Sequence, residues 1–457
     1  MRKLITATTL VICAPVLIWA NSDQLLAKVL EFIKSTPVFQ LAPHRFENVP
    51  PGENEDAIAT AVLMFKIKMA TYAKALAQLK PGEKIVATRD AHAKGHGCVV
   101  GTFVVDKDLP EQFQTAIFSP NKSYETVVRF SNGSNEPAAD SGRDGRGMAI
   151  KLLNAIAGPL RTESLLKDGT SQDFMQINHE RFFARNVLDF KKFNQAIIAG
   201  AMRGETEAKN LVAPFILERL IRSSLGENLE DNVVNELVAM IAQSKQNELA
   251  SYEKIDNSQK SKLVAAIGSM RSGKAPEELV IIGDMNNQPA MNPADYSEYN
   301  SMSSYLLRGR TNQESVVKYQ TVPVDCNTGA ERRTQQLLAA NQSMHELLAE
   351  RIASEDICFD FRVMVLNSKV LERPSMVHSF VENAAKSWIG HSAIQKIARI
   401  TLKKGQRADE LMRGCEDLSF NPWRAHQDHR PLGGINRVRR MTVTGSLIRR
   451  RLLNSNN

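Results

Sequence analysis

Polar and apolar positions change their period several times along this chain. From Asn54 to Leu79, apolar residues recur among alanine and lysine at helical spacing, which predicts one long helix stopped by Pro81-Gly82. From about Lys84 to Phe183 the pattern becomes strand-like. Val99-Val100-Gly101-Thr102-Phe103-Val104-Val105 is a β-branched run, and turns fall at Asn132-Gly133-Ser134-Asn135 and Asp140-Ser141-Gly142. Helical spacing returns in Asn194–Met202, Ala213–Leu225, Asn232–Tyr252 and Ser258–Met270, an insertion whose apolar faces are expected to cover the strands. Strand character follows in Glu278–Ile282, Ser303–Leu307, Val316–Gln320, Phe359–Val365 and Ile397–Leu402. Antiparallel strands separated by turns, with helical additions, indicate an α+β chain around a closed barrel.

Composition adds little to this picture. With 457 residues, 43% hydrophobic and 24% charged, the chain has ample material for a core. No internal repeat or low-complexity linker marks a boundary between independent domains. Met1-Arg2-Lys3 followed by the apolar run Leu4–Ala20 predicts a secretory signal or an N-terminal membrane anchor, hence an exported or membrane-anchored protein. Beyond that segment, Cys98, Cys326, Cys358 and Cys415 are widely spaced; this excludes a zinc pattern and allows one or two disulfides. Arg437–Arg451 holds six arginines and no acid, and the net charge is +8. Nucleic acid is excluded as a partner because no binding motif or interleaved aromatics accompany the charge. The run reads as a solvated helix with arginines turned toward acidic neighbours; an anionic membrane surface is the other partner it suits.

Chemistry concentrates in three segments: Arg89-Asp90-Ala91-His92-Ala93-Lys94-Gly95, Val128-Arg129-Phe130-Ser131, and Arg143-Asp144-Gly145-Arg146-Gly147-Met148-Ala149-Ile150-Lys151. An imidazole at the mouth of a strand suits proton transfer, because its pKa lies near working pH. Arg129 and Ser131, two residues apart on a strand, share a face. Ser131 can orient an imidazole, and Arg129 requires an anion, for which Asp140 and Asp144 are candidates in the chain itself.

Taken together, these segments resemble the haem-binding core of the catalase family, and the resemblance runs with gaps from Lys84 to Arg440. It implies a catalase-type antiparallel β-barrel with helical N- and C-terminal segments. It divides the chain into a leader at 1–20, a helical arm at 21–83, a barrel at 84–440 with a helical insertion at about 190–273, and a basic tail at 441–457. By the same resemblance His92 is the distal base and Ser131 its orienter, Arg89 and Arg129 bind haem propionates, and Phe190 lies against haem b. In Gln176-Ile177-Asn178-His179 the family's catalytic asparagine falls on Ile177. Asn178 matches its neighbour and is expected to reach the distal pocket after a small backbone shift.

Arg430-Pro431-Leu432-Gly433-Gly434-Ile435-Asn436-Arg437-Val438-Arg439-Arg440 resembles the C-terminal motif of a small catalase-related subfamily, in which Arg-Arg-x-x-Tyr supplies the proximal ligand. Val443 stands at that tyrosine position here. His426, His429 or propionate contacts alone are then the remaining ways to hold haem, and Arg439 matches an arginine that pairs with the phenolate. The implied function is decomposition or use of hydrogen peroxide or an organic hydroperoxide, in a chain able to form homo-oligomers through its arm. The alternative is a haem-poor, non-catalytic relative acting as an envelope-associated binding protein. The enzymatic reading requires Arg89, His92, Arg129 and Ser131 to converge on one cavity, expected inside the barrel.

Overall fold

In this computed structural model the described residues are 24–31, 41–80, 83–142, 144–166, 169–203, 217–226, 228–243, 246–271, 280–281, 284, 288–413 and 418–454. The segment at 1–20, where a leader is expected, lies outside them. No helix among them is long and apolar enough to cross a membrane.

Nine antiparallel strands form the body: β1 (Gly95–Val105), β2 (Ser123–Asn132), β3 (Arg146–Leu152), β4 (Gln172–Ile177), β5 (Tyr299–Ser301), β6 (Tyr305–Arg308), β7 (Glu314–Val324), β8 (Ile357–Leu366) and β9 (Ser392–Leu402). Their order is β5-β4-β3-β2-β1-β9-β8-β7-β6, and β5 also pairs with β7 through Tyr299↔Thr321 and Asn300↔Gln320. That pairing closes eight strands into a barrel and leaves β6 hydrogen-bonded outside the ring. Closure requires β1 and β9 to approach closely at Gly101, where a Cβ atom would lie 2.1 Å from the carbonyl oxygen of Thr401.

Alternation decides what fills the barrel. Val99, Phe103, Val128, Phe130, Ile150, Phe174, Tyr319 and Phe361 turn inward into one continuous apolar cluster, while Val100 and Val104 of β1 face out. The interior is therefore the chain's own packed core, with no room for a cofactor.

The longer helices are α1 (Glu53–Ala77), α2 (Val187–Arg203), α3 (Asp231–Ala242), α4 (Asn257–Arg271), α5 (Met344–Ser354), α6 (Pro374–Glu382) and α7 (Gly434–Asn454). α1 matches the first predicted helix within two residues at each end. Its Ala57, Ala61, Phe65 and Met69 pack on Val187 of α2 and on Val438 and Met441 of α7.

The insertion departs from expectation. Leu220 and Ile221 in the helix at 217–225, Val234 and Leu237 of α3, and Leu263 of α4 bury their apolar faces against one another in a separate small core, rather than covering the barrel. Asn232–Tyr252 is also not one helix: α3 ends at Ala242 and a 3₁₀ segment follows at Gln246–Ser251. The strand expected at Glu278–Ile282 lies mostly outside the described residues, and the two that are described, Val280 and Ile281, are helical. An apolar run of this length cannot by itself be told from a buried helix turn. Cys326 and Cys358 form a disulfide.

The basic run is a helix, as expected, but it is buried. Arg437, Arg439, Arg440, Arg449 and Arg450 are all at least nine-tenths covered, and α7 runs unbroken through the boundary expected at 440–441. Its cations reach acids distant in sequence. Arg437 meets Glu47, Glu53 and Glu382, and Arg449 meets Asp90 at 2.7 Å.

Candidate active site

Register places the site on the outer face of the barrel. Since Phe130 faces the core, Arg129 and Ser131 face outward. In the antiparallel ladder Ser131 lies opposite Gly147, and Gly147 lies opposite Ile177. Arg129, Ala149 and Met175 form the next row of partners. Directly opposed residues share a face, so the two rows make the floor of a cavity of about 400 Å³. Its roof comes from α1 (Met64, Ile67), α2 (Phe190, Phe193) and α7 (Arg439, Val443). The volume falls in the range of small-molecule and cofactor pockets, and the walls are mostly apolar.

Arg89, His92, Arg129, Ser131, Phe190 and Arg439 all line this one cavity. It lies between the barrel wall and the helices, not inside the barrel as expected. Asn178 does not line it, which corrects the expectation of a backbone shift. Ile177, opposite Gly147, takes the inward position, and period-two alternation turns Asn178 away. There the Asn178 Oδ1 accepts from the Arg146 backbone N–H at 2.7 Å and its Nδ2 donates to Gln288 at 3.1 Å. His426 and His429 are likewise elsewhere. His426 is paired with Glu163 at 2.7 Å, and His429 sits in the barrel core between Thr115 and the Tyr319 hydroxyl. Neither lines the cavity.

His92 is held at φ 57°, an uncommon backbone conformation for a residue with a side chain. Its Nδ1 lies 2.9 Å from the Asn132 carbonyl oxygen and 3.1 Å from the Ser131 Oγ. A carbonyl oxygen only accepts, so Nδ1 carries the proton and Nε2 keeps its lone pair. Arg129 donates from Nη2 to the His92 carbonyl at 2.9 Å, fixing the same residue from its backbone. Burial lowers the imidazole pKa to about 4, and Arg129 pushes the same way. The ring is thus a neutral base at neutral pH.

Asn132 and Gly147 were not singled out by sequence reasoning. Asn132 contributes a backbone carbonyl, which residue type does not reveal. Its side chain is held by His96 at 2.8 Å and by Arg146. Gly147 is legible in hindsight as a small residue in the row opposite Ser131. A Cβ there would lie 2.6 Å from His92 Nδ1 and 2.8 Å from Ser131 Oγ. Gly147→Ala is therefore expected to displace the imidazole, lower peroxide turnover at least tenfold and cost about 1–3 kcal/mol of stability through overpacking. Steady-state kinetics with thermal unfolding check it; wild-type behaviour in both would show that the ring has room to spare.

The roof differs from the floor in its chemistry. Arg439 is buried, with its Nη2 directed at the Met302 sulfur at 3.4 Å and its Nη1 without a hydrogen-bond partner. Burial lowers its pKa, and the Tyr305 hydroxyl opposes that weakly. Val443, one helical turn further along α7, offers no donor atom. Among the described lining residues there is no tyrosine or cysteine, and His92 is the one histidine.

A family model described as Catalase matches residues 73–212, the segment that carries His92, Arg129, Ser131 and the whole cavity floor. Over that segment, under a third of its length, the chain is similar to catalases. Similar solved structures include a fungal catalase (15% identity, TM-score 0.43, covering 76% of this chain and 56% of that one). Catalase A from Saccharomyces cerevisiae is 15% identical with a TM-score of 0.44, covering 83% and 62%. A bacterial catalase is 13% identical with a TM-score of 0.46, covering 85% and 60%. This chain thus spans 56–62% of the length of those catalases. No curated protein matches it.

Proposed function

We propose that this chain is a catalase-like haem protein that acts on hydrogen peroxide or an organic hydroperoxide, with His92 as the proton carrier. The observation that carries this reading is the held imidazole. Its Nδ1 proton is committed to the Asn132 carbonyl, so Nε2 is the free base over an apolar cavity.

The residues suit a flat apolar macrocycle with carboxylates. Phe190, Met175 and Ile177 supply apolar contact, and Arg89 and Arg129 are guanidinium groups on the same wall, able to bind propionates with paired donors. The Gly147 row leaves a smooth floor beneath His92. Haem, when bound, supplies the electrons that cleave the peroxide O–O bond. The protein's own part is proton transfer. His92 Nε2 takes the proton from one peroxide oxygen and returns it to the other, which leaves as water or alcohol. Ser131 and Asn132 keep the ring in the tautomer that permits this.

The test is an absorption spectrum of the purified chain on haem addition, with peroxide turnover measured on the same sample. A Soret band at one haem per chain is expected. Its absence would favour the other reading, a non-catalytic binding relative, for which Val443 in place of an axial donor is the specific observation.

Acidity gives a second check. Since the His92 pKa is lowered to about 4, the basic form persists as pH falls until about 4. Turnover is expected to stay level from pH 8 to about 5 and then to fall about tenfold per unit below 4. An inflection near 6.5 in kcat/KM would mean that the ring is solvated and unheld.

A further inference from the structure

Arg439 has no counter-ion among the described residues. It is more than nine-tenths buried, its Nη1 has no hydrogen-bond partner, and Nη2 meets only a thioether, a weak acceptor. A buried, charged donor without a partner is rare in a folded interior and calls for an explanation. A guanidinium stays charged even when desolvated, so what answers it is an anion.

The surroundings limit which anion. Arg439 meets the Met302 sulfur and lies over the Phe182 ring, and these two pack with Ile435 in one apolar cluster. A multiply charged ion such as phosphate would lose its hydration against those side chains. A carboxylate with an apolar tail satisfies both features, since its head pairs with the planar guanidinium and its tail covers the apolar wall. We infer that Arg439 is the head-group site for an apolar monocarboxylate, the ligand's tail lying along the helical roof of the cavity.

This inference does not rest on haem binding. Its test uses the full chain purified without added haem, titrated by calorimetry with decanoate, decanol and acetate. Decanoate is expected to bind one per chain, at least tenfold more tightly than decanol and far more tightly than acetate. Arg439→Gln is expected to bring decanoate down to the level of decanol without weakening decanol. Arg439→Gln removes an unpaired buried charge, so it is expected to fold at least as well as the parent. Arg439→Lys keeps the charge and should retain most of the binding. Equal affinity for decanoate and decanol in the parent protein would overturn the inference, as would failure of both to bind or acetate binding as tightly as decanoate. Haem uptake is read separately at the Soret band, so either reading can fail without the other.

Discussion

Replacing His92 with alanine is expected to lower peroxide turnover by about 10²–10⁴-fold, the usual contribution of a positioned general acid-base group, while haem uptake is unchanged. Its imidazole lines the cavity, and Nε2 is its proton-accepting atom, because Nδ1 is committed to Asn132 and Ser131. The Arg129 guanidinium cannot replace it, since it stays protonated. Uptake should survive because the apolar walls, Arg89 and Arg129 remain. Ser131→Ala separates orientation from chemistry: it removes one of the two contacts on Nδ1 and leaves the Asn132 carbonyl, so a loss of about tenfold with an unchanged pH profile is expected. Stopped-flow measurement of peroxide consumption, with the Soret band as the loading control, reads both. Full turnover by the alanine variant at full loading would remove His92 from the mechanism.

The expectations that held are those that depend on local period. β1, β2, β7 and β8 read as strands because β-branched and aromatic residues alternate across a half-buried wall, and the four residues Arg89, His92, Arg129 and Ser131 do share one cavity. What failed depends on partners distant in sequence. Asn178 was one residue out of phase, and only the pairing of Ile177 with Gly147 shows which of the two side chains faces inward. The cavity was expected inside the barrel, but Phe103, Phe174 and Phe361 already fill that space. The basic run was expected to be a solvated helix with arginines turned toward acidic neighbours; the acids are there, but the helix is buried. Its acids are Glu47, Glu53, Glu382 and Asp90, brought in by α1 and the segment before it, by α6 and by the strand entry at Asp90. Nor could sequence tell that Arg439 would be left without one.

That distribution makes Arg437 the residue whose loss should cost most in stability. Its Nε bonds Glu53 at 2.5 Å, its Nη2 bonds Glu53 at 2.8 Å and Glu382 at 2.7 Å, and its Nη1 bonds Glu47. Glu47 also accepts from the backbone N–H groups of His44 and Gly433. The cluster fastens the start of α1 and the end of α6 to α7, the same helix that roofs the cavity. Arg437→Met keeps the bulk but leaves buried carboxylates short of a cation, and a loss of about 3–5 kcal/mol is expected. The sign of its pH dependence follows from the carboxyls. Burial tends to raise the Glu47 pKa, but Arg437 and the other donors outweigh it and hold the pKa below the usual 4.5. In the parent, this contribution is present above 4.5 and disappears as pH falls through the lowered folded value. In the variant the chief lowering influence is gone, burial dominates, and Glu47 takes up a proton at higher pH than in the parent. Glu382, already raised by burial, rises further without Arg437. The gap between parent and variant should therefore be widest near pH 7.5 and narrow toward pH 4.5 in denaturant unfolding. A gap below 1 kcal/mol, or one that does not change with pH, would mean that these charges are not what fastens the helices over the site.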